Sequence, residues 1–150
     1  MKTELCAYSV DACRVAAQLG VNRVELCASP AEGGVTPSVA TIERVAEIEG
    51  LDLSVMIRPR GGDFLYSDDE FQTMLQDIKH ARKAGATGVV FGILTADGRV
   101  DIDRTRQLVE AAGDMETTFH RAVDMTEDYE AAVEAIIAAG CKRILTSGGY

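Results

Sequence analysis

Five glycines, Gly20, Gly50, Gly85, Gly113 and Gly140, each close a helical pattern and stand just ahead of a strand-like run. A glycine just past a helix supplies the left-handed backbone that a C-cap needs. The repeated order of strand, helix, glycine and strand is the βα unit, whose length is about 30 residues or more. A strand reached through a single helix runs parallel to its predecessor, because the helix carries the chain back to the starting end of the sheet. This punctuation restricts the chain to the parallel α/β class.

Read in this way, β1 covers Thr3 to Ala7 and α1 Val10 to Leu19. β2 covers Asn22 to Cys27, and a loop from Ala28 to Val35 follows. Thr36-Pro37 then has the form of an N-cap followed by proline at the first helical position, which opens α2. β3 runs from Leu51 to Ile57, and Ser67-Asp68-Asp69-Glu70 has capping-box spacing for α3, ending near Ala84. β4 covers Gly88 to Ile93, Asp101 caps α4, β5 covers Glu116 to His120, α5 Glu127 to Ala139 and β6 Lys142 to Thr146.

Helix-to-strand turns are short, whereas the loops after β2, β3 and β4 are long and rich in glycine and polar residues. In parallel α/β proteins the carboxyl ends of the strands carry function, and the long loops lie at that end. A doubly wound open sheet and a (β/α)8 TIM-type barrel both fit the alternation. The strand faces separate them. Glu4 and Cys6 share one face of β1, Glu25 and Cys27 one face of β2, Ser54, Met56 and Arg58 one face of β3, and Thr118 and His120 one face of β5. An open sheet covered on both sides would bury all of these polar groups, whereas a barrel gathers them at the mouth of its lumen. The expected fold is therefore a single α/β domain, residues 1–150, forming about the first six strands and five helices of a TIM-type barrel. Such an incomplete barrel leaves β1 and β6 as edges, to be closed by further chain or by another chain.

Several constellations fall at the expected mouth. In Ile57-Arg58-Pro59-Arg60-Gly61-Gly62-Asp63-Phe64, proline directs Arg58 into extended geometry and two glycines free the backbone. Arg58, Arg60 and Asp63 could hold a carboxylate or phosphate, and Thr146 and Ser147 after β6 could add to such an anion site. The arginines could equally pair with Asp63 or Glu25 and lock the loop. Glu25 and His120 could form a general acid/base pair, or His120 could simply be satisfied by Asp124 or Glu25. Cys6 and Cys27, at the ends of neighbouring strands, could offer two thiolates to Cu(I), with Met56 or Met125 adding a thioether, or could pack as small hydrophobes. Zinc fits less well because close Cys/His pairs are absent, and Cys13 and Cys141 read as structural. Glu32-Gly33-Gly34 is neither a Walker A sequence nor a dinucleotide fingerprint, so no nucleotide cofactor is expected.

A net charge of −9 argues against nucleic acid and against an anionic membrane surface as partners. No apolar run reaches the ~18 residues of a membrane helix, and the amino terminus lacks the apolar core of a signal peptide. The four cysteines are widely spaced, which points to a reducing cytoplasm rather than a disulfide framework.

The segments Arg23-Val24-Glu25-Leu26-Cys27-Ala28, Glu32-Gly33-Gly34-Val35-Thr36-Pro37-Ser38, Met56 through Asp68 and Thr117-Thr118-Phe119-His120-Arg121-Ala122 resemble the copper homeostasis protein CutC family. Gly88 to Leu94, Asp97-Gly98 and Leu145-Thr146-Ser147-Gly148 match it as well, so the resemblance spans essentially the whole chain. It implies a TIM-type barrel, a cytoplasmic location, a homo-oligomer and a role in copper tolerance. Cys6 and Cys27 look like the cysteines suggested for Cu(I) in that family. Two functional readings result: a cytosolic Cu(I)-binding protein, or a barrel enzyme acting on a small anionic metabolite through Glu25, His120, Arg58 and Arg60. A third is an assembly partner with no site of its own.

Overall fold

A computed structural model describes residues 1–149 of the chain. Six parallel strands are hydrogen-bonded in sequence order, β1-β2-β3-β4-β5-β6. They are β1 (Glu4–Ala7), β2 (Arg23–Leu26), β3 (Asp52–Met56), β4 (Gly88–Phe91), β5 (Glu116–Phe119) and β6 (Arg143–Ile144). Between them lie α1 (Val10–Gln18), α2 (Val39–Ala46), α3 (Asp68–Ala84), α4 (Ile102–Ala112) and α5 (Tyr129–Ala139). Short 3-10 turns at Pro30–Glu32 and Arg121–Met125 punctuate the loops after β2 and β5. The result is an open part of a TIM-type barrel, with β1 and β6 at its edges.

Strand alternation divides the interior in two. The register pairs Val24 with Leu53 and Leu26 with Val55, and these side chains belong with Ile57, Val89, Phe91 and Phe119 to the core beneath the helices. Amphipathic helix faces complete that layer, through Ile42 and Val45 of α2, Met74 and Ile78 of α3, Leu108 of α4 and Ile136 of α5. The opposite strand faces carry a separate small cluster of Cys27, Met56 and Val90 inside the barrel. Polar groups surround it: Glu25, Ser54, Arg58, Thr118 and His120 are all buried. This is the two-faced pattern expected of barrel strands, with the helix layer dry and the lumen mixed.

Caps account for most helix starts. Ser67 and Glu70 form a reciprocal capping box on α3, and Asp101 caps α4. Three expectations shift. Thr36 does not cap α2; Ser38 does, accepting from the Thr41 N–H at 3.2 Å, so α2 opens two residues past Pro37. Thr36 instead bridges both backbone groups of Arg58, through its hydroxyl at 2.9 and 3.1 Å. α5 begins at Tyr129 because Asp128 caps it, and β6 is only two residues long because Thr146 turns away toward Asp124. Among the described residues no helix is long and apolar enough to cross a membrane.

Candidate functional site

The carboxyl ends of β1 and β2 bring two thiols together. The register sets Cys6 beside Glu25, and the Sγ atoms of Cys6 and Cys27 lie 3.9 Å apart. Both cysteines are free. Cys27 Sγ also approaches Glu25 Oε1 at 3.6 Å, and the ligand atoms of Cys6, Glu25 and Cys27 all fall within 4.8 Å of one another. A Cβ on Gly34 would stand 3.1 Å from the Cys27 sulfur, so the glycine is what lets the loop after β2 close over that thiol.

The three groups shift one another's protonation. A hydrogen bond from the Cys27 thiol lowers the Cys6 pKa to about 6, against the penalty of partial burial and with help from the Tyr8 hydroxyl and Glu25. That same bond, followed by burial, holds the Cys27 proton in place and pushes its pKa up. Tyr8 is raised to about 12, first by its hydrogen bond to Cys6. Burial raises Glu25 to about 7, and the charge of Cys6 adds to it. The arrangement is a thiolate beside a thiol, with a carboxyl group able to take either charge state near neutral pH.

The arginine loop supplies the opposite wall. Arg58 is 7% exposed. Its Nη1 donates to the carbonyls of Glu32 (2.7 Å) and Gly34 (3.1 Å), and its Nη2 to Gly62 (2.9 Å). It thereby ties the loop after β2 to the loop after β3. Arg60 turns away from the mouth. It donates to Glu70 at 2.8 Å, to Asp63 at 3.1 Å and to the Leu65 carbonyl at 2.8 Å, fastening the loop to the start of α3. Asp63 also accepts from the Leu65 N–H at 3.1 Å, closing the turn.

At the end of β5 the His120 ring sits where only glycine leaves room: a Cβ on Gly92 would fall 2.4 Å from its Cε1. Its Nδ1 accepts from the Ala122 N–H at 3.1 Å. Burial, then the Arg58 charge, lowers its pKa to about 3, so the ring is neutral. Phe64 packs against both neighbours, with Arg58 Cζ 5.1 Å and the His120 ring 5.0 Å from its ring centroid. Thr146 and Ser147 belong to a different cluster. Their hydroxyls donate to buried Asp124 at 2.5 and 2.9 Å, and the Ser147 N–H adds a bond of 2.9 Å. Burial opposes ionisation of Asp124, but these bonds and Arg121 outweigh it and hold the carboxyl below its usual range.

The structure thus gathers Glu25, Arg58 and His120 around one cavity of about 170 Å³, with Met56, Phe64 and Leu145 on its apolar side. Cys6 and Cys27 adjoin it through Glu25. Met56 lies in the interior beside Cys27, whereas Met125 is 58% exposed on the turn after β5. Glu25 and His120 share the cavity without a hydrogen bond between them; Oε2 of the one and Nε2 of the other are buried without partners in the protein. Phe64, Tyr8 and Gly92 shape the site although their sequence context marks none of them as functional. The available signals were the position of Gly92 just past β4 and of Tyr8 two residues after Cys6. A larger cavity, of about 690 Å³, lies between the loop after β4 and α5, and none of the sequence-identified site residues lines it.

Comparison with known proteins gives this geometry its relatives. The CutC family model matches residues 1–150. A CutC family protein from Bacteroides fragilis is 53% identical over 146 residues, covering 97% of this chain and 58% of that protein. One from Glaesserella parasuis is 47% identical over 148 residues, covering 99% of this chain and 61% of its own length. The chain therefore spans about three fifths of the length of these curated relatives. A crystal structure from Streptococcus agalactiae, of a protein named for copper homeostasis, CutC, superposes with a TM-score of 0.93 at 34% identity, covering 100% of this chain and 74% of that one. Phosphonopyruvate hydrolase superposes with a TM-score of 0.69 at 16% identity, a likeness of fold alone. With a family model spanning every residue and relatives about half identical across nearly all of it, the chain belongs to the CutC family.

Proposed function

We propose that the chain takes part in copper homeostasis by holding Cu(I) between the thiolates of Cys6 and Cys27. The observation that carries this reading is their 3.9 Å sulfur separation at the carboxyl ends of adjacent strands. Two sulfurs bound to one ion at about 2.3 Å each, the thiolate distance known for zinc, lie at most about 4.6 Å apart. The pair is therefore close enough to share one ion and too far apart for a disulfide, whose S–S bond is about 2.05 Å. Soft sulfur donors favour Cu(I) over harder cations. Cys6 has the lower pKa of the two and would bind first; the metal would then displace the proton of Cys27. Glu25 stands ready to receive that proton, since its Oε1 already faces the Cys27 sulfur at 3.6 Å. The copper-related name of the Streptococcus agalactiae relative supports the same reading. A cytoplasmic location and assembly into a homo-oligomer are part of the proposal, the former because four free thiols suit a reducing compartment.

A competitive Cu(I) titration against a chromophoric chelator tests it. The parent chain is expected to withdraw one equivalent of Cu(I), and the Cys6→Ser/Cys27→Ser variant to withdraw none. Equal competition by parent and double variant would remove the thiolate site.

A further inference from the structure

The lumen cavity contains an imbalance that copper at the thiols does not address. Arg58 is buried, and its terminal nitrogens end on three neutral backbone carbonyls. Among the described residues no carboxylate pairs with it, and its Nε is buried without a partner. A buried cation left without a counter-charge is costly, more so when one of its N–H groups is also unused.

His120 adds a second donor. The Ala122 N–H occupies Nδ1, so the neutral ring carries its proton on Nε2. That atom too is buried and unpartnered, and the residue is 5% exposed. The same Phe64 ring packs on both side chains, fixing the two donors relative to each other. Two N–H groups, one of them cationic, thus sit on residues that line one cavity and find no acceptor in the protein.

We propose that this cavity binds a small carboxylate, one oxygen accepting from Arg58 Nε–H and the other from His120 Nε2–H. A carboxylate supplies one negative charge for the one uncompensated cation and one oxygen for each donor. Phosphate brings additional oxygens and a second charge, which two N–H groups leave without partners. The volume of about 170 Å³ sets the size. A cavity of about 150 Å³ takes up benzene, so the ligand has about six non-hydrogen atoms. Glycolate and pyruvate are carboxylates of about that size. Glu25 also lines the cavity, and its Oε2 is buried without a partner in the protein.

The inference stands independently of the copper reading, and the test keeps them apart. The ¹⁵N-labelled chain is titrated with glycolate, pyruvate and inorganic phosphate while the imidazole nitrogens of His120 are followed by NMR. Glycolate or pyruvate is expected to shift Nε2 saturably, with Nδ1 little changed. His120→Asn keeps an acceptor for the Ala122 N–H and removes the Nε2 donor. Followed in both chains through the backbone amide shifts that glycolate moves, binding is expected to weaken about tenfold or more in this variant, the effect of losing a hydrogen bond to a charged group. The titration is run with a Cu(I) chelator present, and the saturable shift by glycolate is expected to persist. The absence of a saturable shift in the parent, equal affinity in a folded His120→Asn variant, or saturation by phosphate alone would overturn the assignment.

Discussion

At the scale of single residues, the lumen holds two buried titratable groups whose pH dependences oppose each other. His120 is lowered to about 3 by burial and then by Arg58, so the folded chain refuses a proton that an unfolded histidine accepts near its ordinary value of 6.5. Acidification through that window therefore favours the unfolded chain. Glu25 is raised to about 7, so the folded chain holds a proton that an unfolded glutamate releases above about 4.5, and acidification favours the fold. Each slope is limited to about 1.4 kcal/mol per pH unit, and between about pH 6 and 5 they nearly cancel. Working below pH 6 also avoids most of the contribution of Cys6, which is lowered to about 6 and adds stability as pH rises above that value. Urea unfolding at pH 6 and pH 5 is expected to show a nearly flat parent, a His120→Asn variant that gains stability on acidification, and a Glu25→Gln variant that loses it. Identical slopes in all three would contradict the assignment of charge states. The residue types and their strand-end positions were legible in the sequence, because Glu25 and His120 alternate with apolar neighbours. Their protonation was not. An acid/base pair was one sequence reading, but the tautomer of His120 is set by the Ala122 N–H and its charge by burial, and neither has a sequence signature.

Among the elements, α2 shows how a correct local signal can be captured by tertiary structure. Thr36-Pro37 has the composition of a cap and a first helical residue. Yet Thr36 lies against the end of β3, where its N–H donates to the Arg58 carbonyl at 3.0 Å and its hydroxyl accepts from the Arg58 N–H. The helix therefore begins later, capped by Ser38. Ser38→Ala is expected to cost about 1 kcal/mol, the usual loss for a serine cap, read from the urea midpoint. Thr36→Ala is expected to act differently, by loosening the bridge to the arginine loop, and no loss at Ser38→Ala would return the cap to Thr36. The same loop limits what the arginine motif revealed. Pairing of Arg60 with Asp63 was one of the sequence alternatives, and the structure adds Glu70, the capping-box residue of α3, as a second partner. Arg58 finds carbonyls on a segment distant in sequence, which spacing along the chain does not encode. Thr146 and Ser147 follow β6 as expected, but the buried Asp124 takes their hydroxyls, and neither residue lines the lumen cavity.

For the molecule as a whole, the sequence carried the architecture further than it carried the site. The glycine punctuation fixed parallel order, and the polar faces of β1, β2, β3 and β5 selected a barrel over a doubly wound sheet, because their buried members now surround the lumen cluster of Cys27, Met56 and Val90. The same architecture leaves a problem at its edges. Among the described residues β1 pairs only with β2 and β6 only with β5, so each edge strand presents a row of backbone donors and acceptors. On β1 the side of Leu5 that meets helices elsewhere in the sheet is 44% exposed. Cys6, too, is exposed although its partner Cys27 is buried, so half of the proposed copper site lies on an open edge. Unpaired edges of this kind recruit other strands. The chain of 150 residues is accordingly expected to self-associate, with a light-scattering mass that rises with concentration above its 16.1 kDa. Extending it to the length of its relatives is expected to abolish that concentration dependence and to protect Cys6 from alkylation. A 150-residue chain that stays at 16.1 kDa across the accessible concentration range would mean that the edges are guarded by their own charges, with the Glu4–Arg23 pair beside β1 the first contact to test.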